Sequence, residues 1–322
     1  MNLMTHIYFC SLCQIPVCLV GATGLGKTSM VRAFSEIVRG EKAISYSFHM
    51  ETQLSDLYGV YNFESGKSVF QDAVLIKATE EGKVFNADEL NIGDESILQT
   101  MSIVLEPGND DFDFYVPDTG ERKRRKNSFF FIACQNDLST SGRRKLPDII
   151  QKRLRIFEYP TPNVIDLKNS IDEMIKFEKS PDSKFELYTD FPLRIAKFML
   201  KLNEINIKEI GKWSMRNIRK LFRRIRQQQI NESSYLNITI EHQIVIYILG
   251  SIPGGIEQKL IIFDKISEIL KETFDLNDEL KNKLKNCIES KPRIIKKKLD
   301  GKEKLFLVKG DSEETLKSKK TE

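Results

Sequence analysis

The chain has 322 residues, 40% hydrophobic and 30% charged, which is enough to bury the cores of about two domains. No run of about 20 apolar residues occurs, so no helix is expected to span a membrane. The net charge of +4 is concentrated rather than spread: residues 291–322 carry 11 Lys or Arg against 6 Asp or Glu, which leaves the remainder near neutrality.

The first informative segment is Gly21-Ala22-Thr23-Gly24-Leu25-Gly26-Lys27-Thr28, followed by Ser29. It has the pattern G-x-x-x-x-G-K-[ST] of a loop that cradles nucleotide phosphates. Before it, Val17–Val20 is an apolar run suited to a buried strand. After it, Met30, Val31, Phe34, Ile37 and Val38 recur at helical spacing. The glycines let successive backbone N–H groups converge on phosphate oxygens, and the helix that follows adds its positive end. Lys27 is placed to reach the outer phosphates of ATP, and the Thr28 hydroxyl to hold Mg²⁺. The first twenty residues lack the basic start of a secretory leader, and they contain the strand on which the loop depends.

Up to about Pro160, further strands are expected at Ala43–Phe48, Lys83–Ala87, Phe129–Cys134 and Arg155–Tyr159. Helices are expected near Phe70–Thr79, Glu95–Leu105 and Pro147–Leu154. This alternation marks a parallel α/β sheet. Val84–Ala87 ends in the adjacent carboxylates Asp88 and Glu89, which strand alternation sends to opposite faces. Asp88 can then hold Mg²⁺ while Glu89 orients and deprotonates the attacking water. The strand before Gln135-Asn136 brings a neutral polar side chain, Asn136, to the same edge.

Beyond Pro160 the pattern turns helical. Ile218, Leu221, Phe222 and Ile225 form one stripe, Phe263, Ile266, Leu270 and Phe274 a second, and Leu280, Leu284 and Ile288 a third. Pro160, Pro162 and Ser180-Pro181-Asp182-Ser183 punctuate this half. The expected organisation is a nucleotide-binding α/β core over residues 1–162, an all-helical lid over 163–255, and a helical extension with a basic, disordered tail over 256–322. Leu305–Val308 is expected to add a short strand. Cys10 and Cys13 have no second pair at zinc spacing, Cys18 and Cys134 read as buried thiols, and Cys287 leaves an odd count. That usage points to a reducing compartment, intracellular and either cytoplasmic or nuclear.

Taken together, the phosphate loop, Val84–Asn91, Val116-Pro117-Asp118-Thr119-Gly120, Phe131–Asp137 and Gly142–Leu154 resemble a AAA+ ATPase module. More narrowly they resemble the dynein-related branch, which includes the ribosome-assembly ATPase midasin and the MoxR-type ATPases. Leu57–Gly66 has the aromatic and glycine content of the hairpin that this branch inserts into its second helix. The resemblance implies a P-loop NTPase sheet with a helical lid, ATP and Mg²⁺ as cofactors, and neighbouring AAA+ modules as partners, in a homo-oligomer or a linked ring. Asn136 falls at the sensor-1 position and Arg153 at the arginine finger, which acts in a neighbour's site. Trp213–Ile218 is similar to the start of the sensor-2 helix, with Ser214 as cap and Arg216 in the first turn.

The implied work is remodelling of a protein or ribonucleoprotein complex. The alternative is a structural module that binds nucleotide with little turnover. Three features depart from the branch. Asn86 stands where an apolar residue is usual and is expected to loosen its strand. Gln151 replaces a common Arg, and the segment before the phosphate loop is short. Nucleic acid is a partner only through the basic runs Arg122–Lys126, Arg219–Arg226 and the tail.

Overall fold

The computed structural model describes residues 3–106, 108, 110–117, 119–136, 144–178, 189–230, 240–253, 255–289, 293–299 and 302–308. Two compact units divide the chain, Met1–Thr161 and Pro162–Glu322.

In the first unit, helix α1 (Leu3–Leu12) precedes strand β1 (Val17–Val20), and α2 (Lys27–Ala33) follows the phosphate loop, running on as a π-helical turn over Phe34–Val38. Strand β2 (Ile44–Ser47) comes next. A short helix α3 (Leu54–Leu57) then leads into a hairpin of β3 (Gly59–Glu64) and β4 (Lys67–Asp72), which returns to α4 (Val74–Glu81). The hairpin thus lies between two helical pieces, and it takes Phe70–Asp72 out of the helix expected over Phe70–Thr79. The reason is local. Ser65 at φ 50° and Gly66 at φ 78° form a two-residue turn of the kind that fits strand twist, and Tyr61 pairs across with Phe70.

Strand β5 (Val84–Asp88) leads to α5 (Glu95–Met101), which tightens to a 3₁₀ turn over Ser102–Leu105. A second hairpin, β6 (Phe112–Tyr115) with β7 (Arg122–Arg125), precedes β8 (Phe130–Gln135). Helix α6 is only Asp148–Gln151, shorter than the expected Pro147–Leu154, because Arg155 already begins β9 (Arg155–Glu158). Asp118, Asp137, Gly142 and Arg143 lie outside the described residues.

The main sheet has the order β2-β5-β8-β1-β9, and all its pairings are parallel. Buried parallel strands carry near-continuous apolar runs, as Phe130-Phe131-Ile132-Ala133-Cys134 does. Asn86, on central β5, is the polar exception at 1% exposure. Its packing corrects the expectation of a loosened strand. The amide Nδ2 donates to Ser45 Oγ at 3.4 Å on one side, and Oδ1 accepts from the Cys134 thiol at 3.7 Å on the other. Register aligns Val20 with Gln135 and Asp88 with Cys134, so the phosphate loop, the paired carboxylates and Asn136 leave the sheet at one edge. Open parallel sheets bind ligands at that carboxyl edge.

The basic run Arg122–Lys126 is mainly strand β7, and four of its five charges are met within the unit. Arg122 pairs with Asp113, and Arg124 with Asp111 at 3.3 Å. Lys123 reaches Asp72 at 2.5 Å, and Arg125 is buried with its guanidinium 5.0 Å from the Phe112 ring centroid.

The second unit contains α7 (Val164–Glu178), α8 (Phe191–Ile205), α9 (Met215–Ile230), α10 (Ile240–Gly250), α11 (Ile256–Phe274) and α12 (Asp278–Glu289). All three sequence stripes contribute to a single core. Phe198 meets Trp213 at 5.6 Å and Phe274 at 6.2 Å between ring centroids. The loop before α9 is closed by the Asn203 amide, which donates to the Trp213 carbonyl at 2.9 Å and accepts from its N–H at 2.6 Å. Within the expected tail, β10 (Arg293–Leu299) pairs antiparallel with β11 (Lys302–Val308), so the anticipated strand at Leu305–Val308 is longer and has a partner. Residues after 308 and Ser180–Ser183 lie outside the described residues. Among the described residues no helix is long and apolar enough to cross a membrane.

Phe222 is fully buried at the centre of this helical core. Phe222→Ala is expected to cost about 3–5 kcal/mol of the unit's stability, the usual result of emptying a large core site, and a denaturant melt measures it.

Candidate nucleotide site

The phosphate loop takes a path that glycine permits. Gly24 has φ 79° and Gly26 φ 99°, left-handed values that a side chain opposes. Gly21 is needed for closeness instead, since a Cβ there would stand 3.0 Å from the Cβ of Tyr159. The Tyr159 N–H donates to the Val20 carbonyl at 2.6 Å, while the Gly21 N–H donates to the Gln135 carbonyl at 3.3 Å. The loop is therefore tied to the ends of both strands that flank β1. Beneath it, burial pushes the Cys18 thiol up to about 12 and raises that of Cys134, so these sheet cysteines stay protonated and unreactive.

Lys27 is 7% exposed, and an ammonium so buried needs several oxygen partners. It donates to the Gly21 carbonyl at 2.7 Å, the Ala22 carbonyl at 2.9 Å and Asn136 Oδ1 at 3.0 Å. The other end of the Asn136 amide donates to Glu89 Oε1 at 2.8 Å and Oε2 at 3.0 Å. One side chain thus joins the phosphate-loop lysine to the carboxylate of the next strand. Because its Oδ1 faces an ammonium and its Nδ2 a carboxylate, the orientation of this amide follows from its neighbours.

Glu89 itself has φ 58° and ψ 35°. A non-glycine residue in the left-handed region costs of order 1 kcal/mol or more and persists only where its surroundings fix it, often in functional sites. Here a 3₁₀ turn over Leu90–Ile92 follows at once, closed by the Ile92 N–H on the Glu89 carbonyl at 2.9 Å. The bend carries Glu89 out of the strand direction that Asp88 keeps. Asp88 Oδ2 accepts from Thr28 Oγ1 at 3.0 Å, and its Oδ1 accepts from the Glu89 N–H at 3.2 Å.

A hydroxyl and a carboxylate in mutual contact form a hard oxygen donor set. It fits Mg²⁺, which draws most of its ligands from water and substrate phosphates and only one or two from protein. Among the described residues no cluster of three or more His, Cys, Asp or Glu side chains offers a fuller metal cage.

Lys27, Thr28, Asp88, Glu89 and Asn136, all expected from sequence, are thus brought together. Arg153 is engaged elsewhere in the unit, its guanidinium on the Ser102 carbonyl and the Glu106 carboxylate. Gln151, at the position where Arg is common, donates to the Leu146 carbonyl at 2.7 Å and so braces the turn before α6. Arg216 is an exposed residue in the first turn of α9, in the other unit. Ser214 stands at the start of that helix, but its hydroxyl donates to Asn217 Oδ1 at 2.8 Å instead of accepting from the helix backbone.

On the same helix, Arg223 holds Glu178 at 2.6 Å and Arg219 approaches it at 3.8 Å. The hydrogen bond from Arg223 keeps the Glu178 carboxyl below its ordinary range. Part of the basic face of α9 is therefore neutralised internally.

Two residues near the site were missed in the sequence. Tyr159 gives no signal there, since it reads as the end of a strand. Asn91 sits in a quoted motif without a role, yet it is buried and its Nδ2 donates to the Asn136 carbonyl at 2.9 Å.

The family profile described as AAA domain (dynein-related subfamily) matches residues 16–154, which contain Lys27, Thr28, Asp88, Glu89 and Asn136. The chain is 31% identical to midasin of Giardia intestinalis over 168 residues, covering 51% of this chain and 3% of that protein. It is 33% identical to midasin of Dictyostelium discoideum over 132 residues, covering 41% and 2%. Against protein NorQ of Paracoccus denitrificans it is 28% identical over 150 residues, 46% of this chain and 54% of that one. The similarity thus spans one small part of each midasin and about half of NorQ. Residues 16–154 are an AAA domain of the dynein-related subfamily, a nucleotide-binding, ATPase-type AAA+ module of the midasin-like and MoxR-like kind.

Proposed function

We propose that this module binds Mg–ATP, hydrolyses it, and uses the cycle to remodel a protein or ribonucleoprotein complex, in the manner of a ribosome-assembly factor. The observation that carries the proposal is the hydrogen-bonded chain Lys27–Asn136–Glu89, which unites three sequence-distant residues at one sheet edge. Lys27 and the amides of Gly21–Ser29 hold the phosphates. Thr28 and Asp88 are the residues that hold Mg²⁺, which when bound neutralises phosphate charge. Glu89 takes the proton of the attacking water, and Asn136 fixes both the Glu89 carboxylate and the position of that water.

In this proposal Arg153 serves the site of an adjacent module, so the working unit is a ring of like or linked modules. Residues 163–255 act as the lid, with Arg216 reporting the nucleotide state, and α11 and α12 extend the lid's core. The midasin matches support an assembly role, because each covers a small part of a much longer protein. Nucleic acid ranks behind protein as the substrate surface, since four cations of Arg122–Lys126 are engaged within the unit.

ATP titration of the wild type beside Lys27→Ala tests the binding step. Saturable wild-type binding, weakened about 10²-fold or more in the variant, is expected from the loss of a charged phosphate contact. Equal affinities would remove the site from the proposal.

A further inference from the structure

Asn91 makes two contacts that bracket one segment of chain. Its Nδ2 donates to the Asn136 carbonyl at 2.9 Å, and its own carbonyl accepts from the Arg144 N–H at 3.1 Å. Asn91 therefore holds both Asn136, through its side chain, and Arg144, through its main-chain carbonyl. The residue is 1% exposed and lies on the 3₁₀ turn that begins at Glu89. Of the two ends of this amide only the nitrogen can donate to the Asn136 carbonyl, so the contact sets the orientation of the Asn91 side chain. The side chain of Asn136, whose peptide is held in this way, is the one that touches Lys27 and both oxygens of Glu89.

We propose that Asn91 is a positioning residue for hydrolysis: it fixes the Asn136 peptide so that the Asn136 amide stays between Lys27 and Glu89. It touches neither of those two side chains through its amide. Its action is on the angle from which Asn136 approaches them. From Arg144 the chain continues to α6 and Arg153, so the same asparagine also anchors the start of the segment that carries the proposed finger. The proposal rests on the reading of Glu89 and Asn136 as hydrolytic residues.

The test replaces the amide by an apolar group of similar size, Asn91→Leu, with Asn91→Asp as a second variant of the same shape should the first not fold. Expected is a fall in kcat of about 10²-fold, the scale of an ångström-sized misplacement, with nucleotide affinity within about threefold of wild type. In an Asn136→Ala background, where the positioned amide is already gone, the Asn91 change is expected to add little.

Wild-type kcat in both variants would overturn the proposal, as would a loss that multiplies fully with Asn136→Ala or a matching loss of affinity. Should wild type and Lys27→Ala turn over ATP equally, the hydrolytic reading itself has failed. The proposal then falls with it.

Discussion

Arg153→Ala is expected to lower ATP turnover of the assembled protein by about 10³–10⁵-fold, the range seen when an arginine finger is withdrawn from a phosphoryl-transfer site. The side chain is 20% exposed and oriented by two acceptors of its own unit, the Ser102 carbonyl and the Glu106 carboxylate. An arginine tethered in this way retains donors that can face a neighbour. The loss is expected in kcat, with ATP affinity of the same chain nearly unchanged, because the group serves another module's site. Mixing supplies the check. A Lys27→Ala chain, which keeps Arg153 but lacks a working site, should restore turnover to Arg153→Ala chains when the two are combined. If the mixture stays inactive, or if Arg153→Ala alone hydrolyses like wild type, Arg153 serves only its ion pair with Glu106.

Glu89→Gln is the second large effect. The change keeps the shape of the side chain and an oxygen for the Asn136 amide, which donates at 2.8 Å and 3.0 Å to the present carboxylate. What it removes is the proton acceptor. A positioned general base is worth about 10²–10⁴-fold, so turnover should fall by that factor while ATP remains bound. The expected product is a chain locked with unhydrolysed ATP, measured as stoichiometric nucleotide after gel filtration. Unaltered turnover would place the base elsewhere.

Much of the core was legible because its signals are short-range. The phosphate loop needs glycines at 24 and 26 for left-handed backbone, and a buried parallel strand needs an unbroken apolar run such as Val17–Val20. Lys27 and Thr28, at the start of α2, and Asp88 and Asn136, at strand ends, were all expected at one sheet edge, whereas the direct hydrogen bonds Thr28–Asp88 and Lys27–Asn136 were not foreseen. Contacts set by tertiary packing were not legible. Nothing in the alternation of β5 announces that Asn86 finds Ser45 on one neighbouring strand and Cys134 on the other.

The basic run at Arg122–Lys126 reads as a free cationic turn until the partners Asp72, Asp111 and Asp113 are brought beside it. The helix expected from Phe70 fails for a local reason that was available in the sequence. Ser65-Gly66 is a turn signal, and the residues after it must pair before a helix can begin. Asn91 was missed because a buried amide bonded to a backbone carbonyl leaves no periodic trace.

Phosphate release per chain, followed as the concentration of wild-type protein is raised, tests the central claim most directly. A site completed by a neighbour's Arg153 predicts turnover per chain that climbs with concentration and then levels off as the assembly saturates. Turnover that is absent at every concentration while ATP still binds would contradict hydrolysis and leave a structural nucleotide-binding module.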